Sequence, residues 1–176
     1  ILQGIGTNKD LAKCCLQQGD CDRVLKILHT THNRFAELGL TGHYVAFLRN
    51  TLAEAYLTAE QAGDLGNASK SRQVLAVCKA AVKESKRFCW AQPEAYRLKG
   101  TCCWLRGDIA SAWKSWQSSL EKAKRLGVVH EFRMTCSEMN KRMGNDCPDL
   151  KGSEAILQEM QGKLDLSNDY KMLQIG

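Results

Sequence analysis

Leu105-Arg106-Gly107-Asp108-Ile109-Ala110-Ser111-Ala112-Trp113 decides the fold, because its central Gly-Asp recurs. The same dipeptide stands at Gly19-Asp20 and Gly63-Asp64, at 44-residue intervals. A fixed period of about 20–50 residues marks a helical repeat array. The dipeptide has a physical reason. Glycine tolerates the left-handed backbone that ends many helices. Aspartate accepts hydrogen bonds from the free N–H groups that begin the next helix, and its charge suits that helix's positive end. Gly-Asp between two apolar-periodic segments is therefore a compact helix–turn–helix joint. Three joints predict at least six helices.

Outward from the joints the period persists. Val24, Leu25, Leu28, Phe35 and Leu38 align with Ala112, Trp113, Trp116, Ala123 and Leu126, and Gly39 aligns with Gly127. Both sets trace one apolar stripe on a helix. The middle copy is displaced: its apolar set is Val74, Leu75, Val77, Cys78, Ala81 and Val82, which predicts a longer turn through Leu65-Gly66-Asn67.

This spacing predicts an all-α helical-hairpin solenoid of long repeats with a C-terminal cap. Helices are expected at 8–18, 21–38, 42–62, 68–89, 93–106, 109–126, 129–143 and 153–163. Pro93 fits a first helical turn, where no N–H is needed. The organisation reads as a linker over 1–7, a repeat array over 8–144, a breaker loop and capping helix over 145–164, and a tail over 165–176. Gly144-Asn145-Asp146-Cys147-Pro148 is the breaker, and Ile156, Leu157, Met160 and Leu164 form the cap's apolar side.

The chain has 176 residues, begins at Ile1 and is expected to be a piece of a longer protein. No stretch approaches the roughly 20 apolar residues of a membrane span. Lys9 and Asp10 interrupt any apolar start, so no signal peptide is read. Lysine and arginine number 25 against 19 acidic residues, a net charge of +6. Lys83, Lys86 and Arg87 form one basic cluster, and Lys122, Lys124 and Arg125 another. Solvated helix faces account for both; an acidic protein partner comes next. Nucleic acid is disfavoured, because no stacking aromatics interleave with these cations. Nine cysteines are an odd count for a disulfide framework. Cys15, Cys78, Cys103 and Cys136 fall on apolar helix faces, as free thiols do in a reducing compartment. No structural disulfide is expected, and the Asn67-Ala68-Ser69 sequon would go unused in the cytosol.

Glu94–Gly127 resembles a tetratricopeptide repeat. Tyr96, Gly100, Cys103, Gly107, Ala112, Trp116 and Ala123 stand near that family's large, small, large, Gly, small, aromatic and small positions. The resemblance implies that Gly100 and Ala112 let paired helices approach, with Trp116 as the knob between them. Lys99 and Ser119 depart from the pattern, and no proline closes the unit. The ending Trp116, Ser119, Leu120, Ala123, Leu126, Gly127 and Glu131 is similar to long repeats of large signalling ATPases and cyclases. With Ala95–Gly100 and Trp104–Asp108, it looks nearest to the C-terminal repeats of the soluble, bicarbonate-responsive adenylyl cyclases. That likeness spans roughly residues 90–140 and carries no catalytic feature: neither a metal-binding carboxylate pair nor a phosphate loop is present.

Other chemistry reads weakly. Cys14, Cys15 and Cys21 precede His29 and His32, but no Cys-x-x-Cys knuckle exists to converge on zinc. Cys102-Cys103 lies in mid-helix, without a helix N-terminus to activate a thiol. Gly4-Ile5-Gly6-Thr7-Asn8-Lys9 lacks the Gly-Lys-Ser/Thr ending of a phosphate loop. No cofactor and no metal are expected. Trp113, Trp116 and Leu120 are expected in the core, while Trp90 and Trp104, near helix ends, are candidate partner anchors.

The expected function is protein–protein interaction or scaffolding within a larger cytoplasmic signalling protein, with cilium or flagellum as the narrower placement. An inner face from helices 42–62, 93–106 and 129–143 would present Arg49, Arg97, Arg133 and Lys141 as accessible basic groups for an acidic peptide or helix. The alternatives are a cysteine-dependent enzyme on a helical scaffold, or nucleic-acid binding through the basic clusters.

Overall fold

The computed structural model describes residues 20–39, 42–63, 68–144 and 152–162, together with Gln18. Among them every regular element is helical: α1 Cys21–Glu37, α2 His43–Ala62, α3 Ala68–Ser85, a 3-10 turn Cys89–Ala91, α4 Gln92–Leu105, α5 Ile109–Leu126 and α6 Val129–Met143. A further helix, α7, covers 153–162. The helix expected at 8–18, the turn at 65–67, the linker and the tail lie outside the described residues, as do Gly19 and Asp64.

The described parts of the Gly-Asp joints follow their chemistry, and Gly107-Asp108 is described whole. Asp108 Oδ1 accepts from Ser111 N at 3.1 Å, and Asp20 Oδ1 accepts from Arg23 N at 3.2 Å. Each aspartate thus serves an N–H three residues on, at the start of its helix. Gly107 has φ +74° and sits in the turn where Asp108 N–H reaches back to Cys103 O at 3.0 Å. At the far end of α5, Gly127 has φ +68°, and Val128 N donates to Ala123 O at 2.9 Å. Such a backbone belongs to glycine, and it closes the last carbonyls of the helix. Gly63, with φ +80°, ends α2 in the same way.

α3 is shorter than its sequence predicts, ending at Ser85 instead of 89. Ser85 Oγ donates to Val82 O at 2.9 Å, and Phe88 N closes on Ser85 O at 2.9 Å. Phe88 is extended, and the 3-10 turn then leads into α4. Pro93, in the first turn of α4, requires a fresh helix start there.

Packing follows chain order. Each of α1 to α6 packs on the next, through turns short enough that neighbours double back on each other. α2 also touches α4, and α4 touches α6. The aligned stripes are buried alike: Val24, Leu28 and Phe35 on α1 match Ala112, Trp116 and Ala123 on α5. Two expectations at the stripe edges fail. Leu38 is 49% exposed, and Trp113 is half-buried, whereas Leu120 is buried as expected. One core cluster joins α1, α2, α3 and Ala95, Leu98 and Cys102 of α4. A second joins Cys103, α5 and α6, with Met160, Ile156 and Leu157 of α7 packed onto it. Three of the four residues expected on that apolar side therefore pack there, and Leu164 lies outside the described residues.

Candidate functional site

α4 lies at the centre of the packing and is buried around most of its circumference. It meets α5 tightly at Gly100. A Cβ there would overlap Trp116 Cδ1 and Nε1 and lie 2.9 Å from Trp116 Cγ. The small residue and the indole knob therefore occupy one space.

A polar seam runs along the contact of α4 with α2 and α6. Asn50 Nδ2, on α2, donates to Ala91 O at 3.1 Å and to Glu94 Oε2 at 2.8 Å, and the buried Asn50 Oδ1 has no partner. Arg97 Nε donates to Glu131 Oε2 on α6 at 3.2 Å, and its Nη2 lies 4.0 Å from Glu94 Oε1. One helical turn on, Thr101 Oγ1 donates to Glu138 Oε1 at 2.7 Å, which also accepts from Arg142 Nε at 2.7 Å. Ser119 Oγ donates to Pro93 O at 2.7 Å and meets Thr135 Oγ1 at 2.8 Å. Burial disfavours the charge on Arg97, but Glu131, Glu94 and Glu54 outweigh it and hold the guanidinium above its ordinary value. Burial likewise pushes Glu138 up, and its bonds from Thr101 and Arg142 outweigh that, leaving the carboxyl below its ordinary value.

The seam corrects the expected basic groove. Arg97 is not an accessible cation: it is 7% exposed, because it lies on the flank of α4 that meets α6. Arg49 is half-buried and turned toward α1, close enough to His32 to help lower that ring's pKa, after the larger effect of burial. Arg133 and Lys141 are exposed on α6, but Arg133 follows Glu131 by two residues, about 200° around the helix. These four residues do not converge on one face. Trp90 and Trp104 are half-buried and stacked, Trp90 on Phe47 with centroids 4.3 Å apart and Trp104 on Trp116 at 5.7 Å. Neither stands free as an anchor.

Exposed positive charge gathers elsewhere. Arg72, Lys79 and Lys83 on α3, and Lys86 just beyond it, are all exposed. On the helix, the i, i+7 and i+11 spacing of Arg72, Lys79 and Lys83 keeps them within an arc of about 40°. None of the described ion pairs uses them. Contiguous counting finds Lys83, Lys86 and Arg87; the helical period adds Arg72 and Lys79.

A buried thiol pair was also hidden in the sequence. Cys102 on α4 and Cys78 on α3 are both wholly buried in the first core cluster. Arg106 Nη1 donates to Cys102 Sγ at 2.8 Å and to Cys102 O at 3.0 Å. Glu60, at the end of α2, holds the same guanidinium at 3.2 and 3.4 Å. Interaction with Cys78 and with the Arg106 guanidinium lowers the Cys102 pKa against the effect of burial, while interaction with Cys102 and burial raise that of Cys78. An arginine one turn after a cysteine is the signal that adjacent-residue reasoning about Cys102-Cys103 overlooked. Cys78, Cys89, Cys102, Cys103 and Cys136 are free thiols.

Among the described residues, no group of three or more His, Cys, Asp or Glu could hold a metal ion, and no helix is long and apolar enough to cross a membrane. No protein-family model, curated protein or solved structure matches the chain.

Proposed function

We propose that this chain is a protein-binding scaffold module, a tetratricopeptide-like solenoid of helical hairpins whose partner presents an acidic helix or peptide. The observation that carries the reading is the row of exposed cations on α3: Arg72, Lys79 and Lys83, extended by Lys86. The carboxylates Glu94, Glu131 and Glu138 of the seam are already engaged by Arg97 and Arg142. The outward row has no such engagement and attracts opposite charge from solvent. Its span is about 21 Å along the helix axis, the length of four turns of a partner helix. Packing in chain order, with α2 touching α4 and α4 touching α6, supports the solenoid assignment. On this reading the chain itself is not an enzyme. It serves a larger cytoplasmic signalling protein of the soluble adenylyl cyclase kind, in a cilium or flagellum as the narrower placement.

The test is fluorescence anisotropy with a labelled helical peptide bearing glutamates at i, i+4, i+7 and i+11. Lys79→Glu with Lys83→Glu should weaken binding by about tenfold or more, a factor worth about 1.4 kcal/mol. Arg133→Glu with Lys141→Glu, on α6, should leave it within about twofold, as rim charges remote from a contact do. Equal losses from both pairs, or no binding by the parent chain at low salt, overturn the reading. Turnover of ATP by the purified chain overturns its non-enzymatic part.

A further inference from the structure

The polar seam is short of hydrogen-bond donors. Asn50 is fully buried, and its Oδ1 has no donor, although its Nδ2 is bound to Glu94. A buried acceptor left without a donor points to a missing partner. Two further acceptors of the seam are in the same position. Glu131 engages Arg97 through Oε2 alone, and Glu138 engages Thr101 and Arg142 through Oε1 alone. No described hydrogen bond reaches Glu131 Oε1 or Glu138 Oε2, and these side chains are 14% and 20% exposed. Three carboxylates, Glu94, Glu131 and Glu138, share two guanidiniums, Arg97 and Arg142. Glu54, one turn on from Asn50 along α2, adds a further negative charge that acts on Arg97. The seam is thus negative in a chain whose net charge is +6. What it lacks is a cation that donates several hydrogen bonds, an ammonium or a guanidinium.

The open edge of the seam has the pattern of a helix contact. Glu131, Met134 and Glu138 stand at i, i+3 and i+7 on α6, one stripe that spans about 10 Å along the axis. Met134 is 39% exposed, an apolar group between two carboxylates. We propose that this stripe docks a basic amphipathic helix of a protein partner, with lysine or arginine at two positions seven residues apart and an apolar residue between them. The partner's cations meet Glu131 Oε1 and Glu138 Oε2, and its apolar residue covers Met134. Glu94 and Asn50 lie behind the stripe, across Arg97, and add to its negative potential. Lys141, exposed beyond Glu138, ends the negative run. This face takes the opposite charge from the α3 row, so it goes beyond the scaffold reading, and either face can fail without the other.

The probe is a labelled helical peptide with lysines at i and i+7 and leucine at i+3, added to the whole chain at low salt and read by fluorescence anisotropy. The parent chain should bind it. Met134→Lys should weaken binding about tenfold or more, because it sets a like charge at the centre of the stripe. Met134 is an exposed side chain, so this variant keeps the fold. Gln73→Lys adds the same charge at an exposed position on α3 and should leave the affinity within about twofold. Glu131→Gln with Glu138→Gln, at parental helical circular dichroism, should also weaken binding about tenfold. Where that double variant fails to fold, Met134→Lys decides. No binding by the parent chain, an unchanged affinity in Met134→Lys, or equal losses in Met134→Lys and Gln73→Lys overturns the proposal. Self-association of the parent chain that Met134→Lys abolishes, without peptide binding, would seat a second copy on the stripe and overturns the assignment to a partner.

Discussion

Gly100 lacks a side chain because Trp116 occupies the place where one would stand. Gly100→Ala should therefore cost about 1–3 kcal/mol through overpacking, although alanine is the better helix former. Trp116→Ala should cost about 3–5 kcal/mol, since the indole is fully buried. The two changes share one space, so they cannot add. In a Trp116→Leu background, Gly100→Ala should lose most of its cost, and urea midpoints of the four proteins measure that coupling. Additive costs would mean that the helices separate to admit the methyl. The fit of Gly100 to Trp116 was legible through the repeat resemblance, which sets a small residue against a large one on facing helices. Trp90 and Trp104 were not, because a position near a helix end does not reveal whether Phe47 or Trp116 lies across from the ring.

At the scale of the element, charges decide how α4 and α6 meet. Removing Arg97 leaves Glu131 and Glu94 facing each other with little water, and breaking one side of a buried pair costs about 3–5 kcal/mol. Arg97→Met alone should approach that loss, and Arg97→Met with Glu131→Leu should recover most of it. Chemical denaturation of both variants checks the order; a double variant no more stable than the single would place the cost in lost packing. Glu138 makes the seam sensitive to acid. Its folded-state pKa lies below the unfolded value, because bonds from Thr101 and Arg142 outweigh burial. Its contribution is present above the unfolded carboxylate pKa and is lost as pH falls through the folded one. Glu138→Gln should therefore flatten the acid limb of the stability profile in that window, with little change in its slope above neutrality. An acid limb as steep as that of the parent would assign the titration to other carboxylates. The joints of these elements were readable from Gly107-Asp108, where cap and turn act within a few residues. The seam was not, because Arg97 on a half-polar helix looks the same in sequence whether it faces water or Glu131.

At the scale of the whole molecule, two cores meet at α4, where Cys102 belongs to one and its neighbour Cys103 to the other. Packing between the two halves passes through α4 and the 3-10 turn before it. Such a chain is held together by local interfaces, and its parts can open separately. A lesion in the second core should then be felt unevenly. Trp116→Ala should speed amide hydrogen exchange in α5, α6 and α7 by more than tenfold, the equivalent of about 1.4 kcal/mol of local opening. α1 and α2 have no substantial packing on the second core's helices beyond α4, so their exchange should change by less than about threefold. Leu28→Ala, in the first core, should show the reverse pattern. Exchange mapped by mass on both variants compares the halves directly. Uniform acceleration in both would mean that α4 transmits every defect and that the molecule unfolds as one cooperative unit. Uneven acceleration would make α4 the hinge of stability between the two halves.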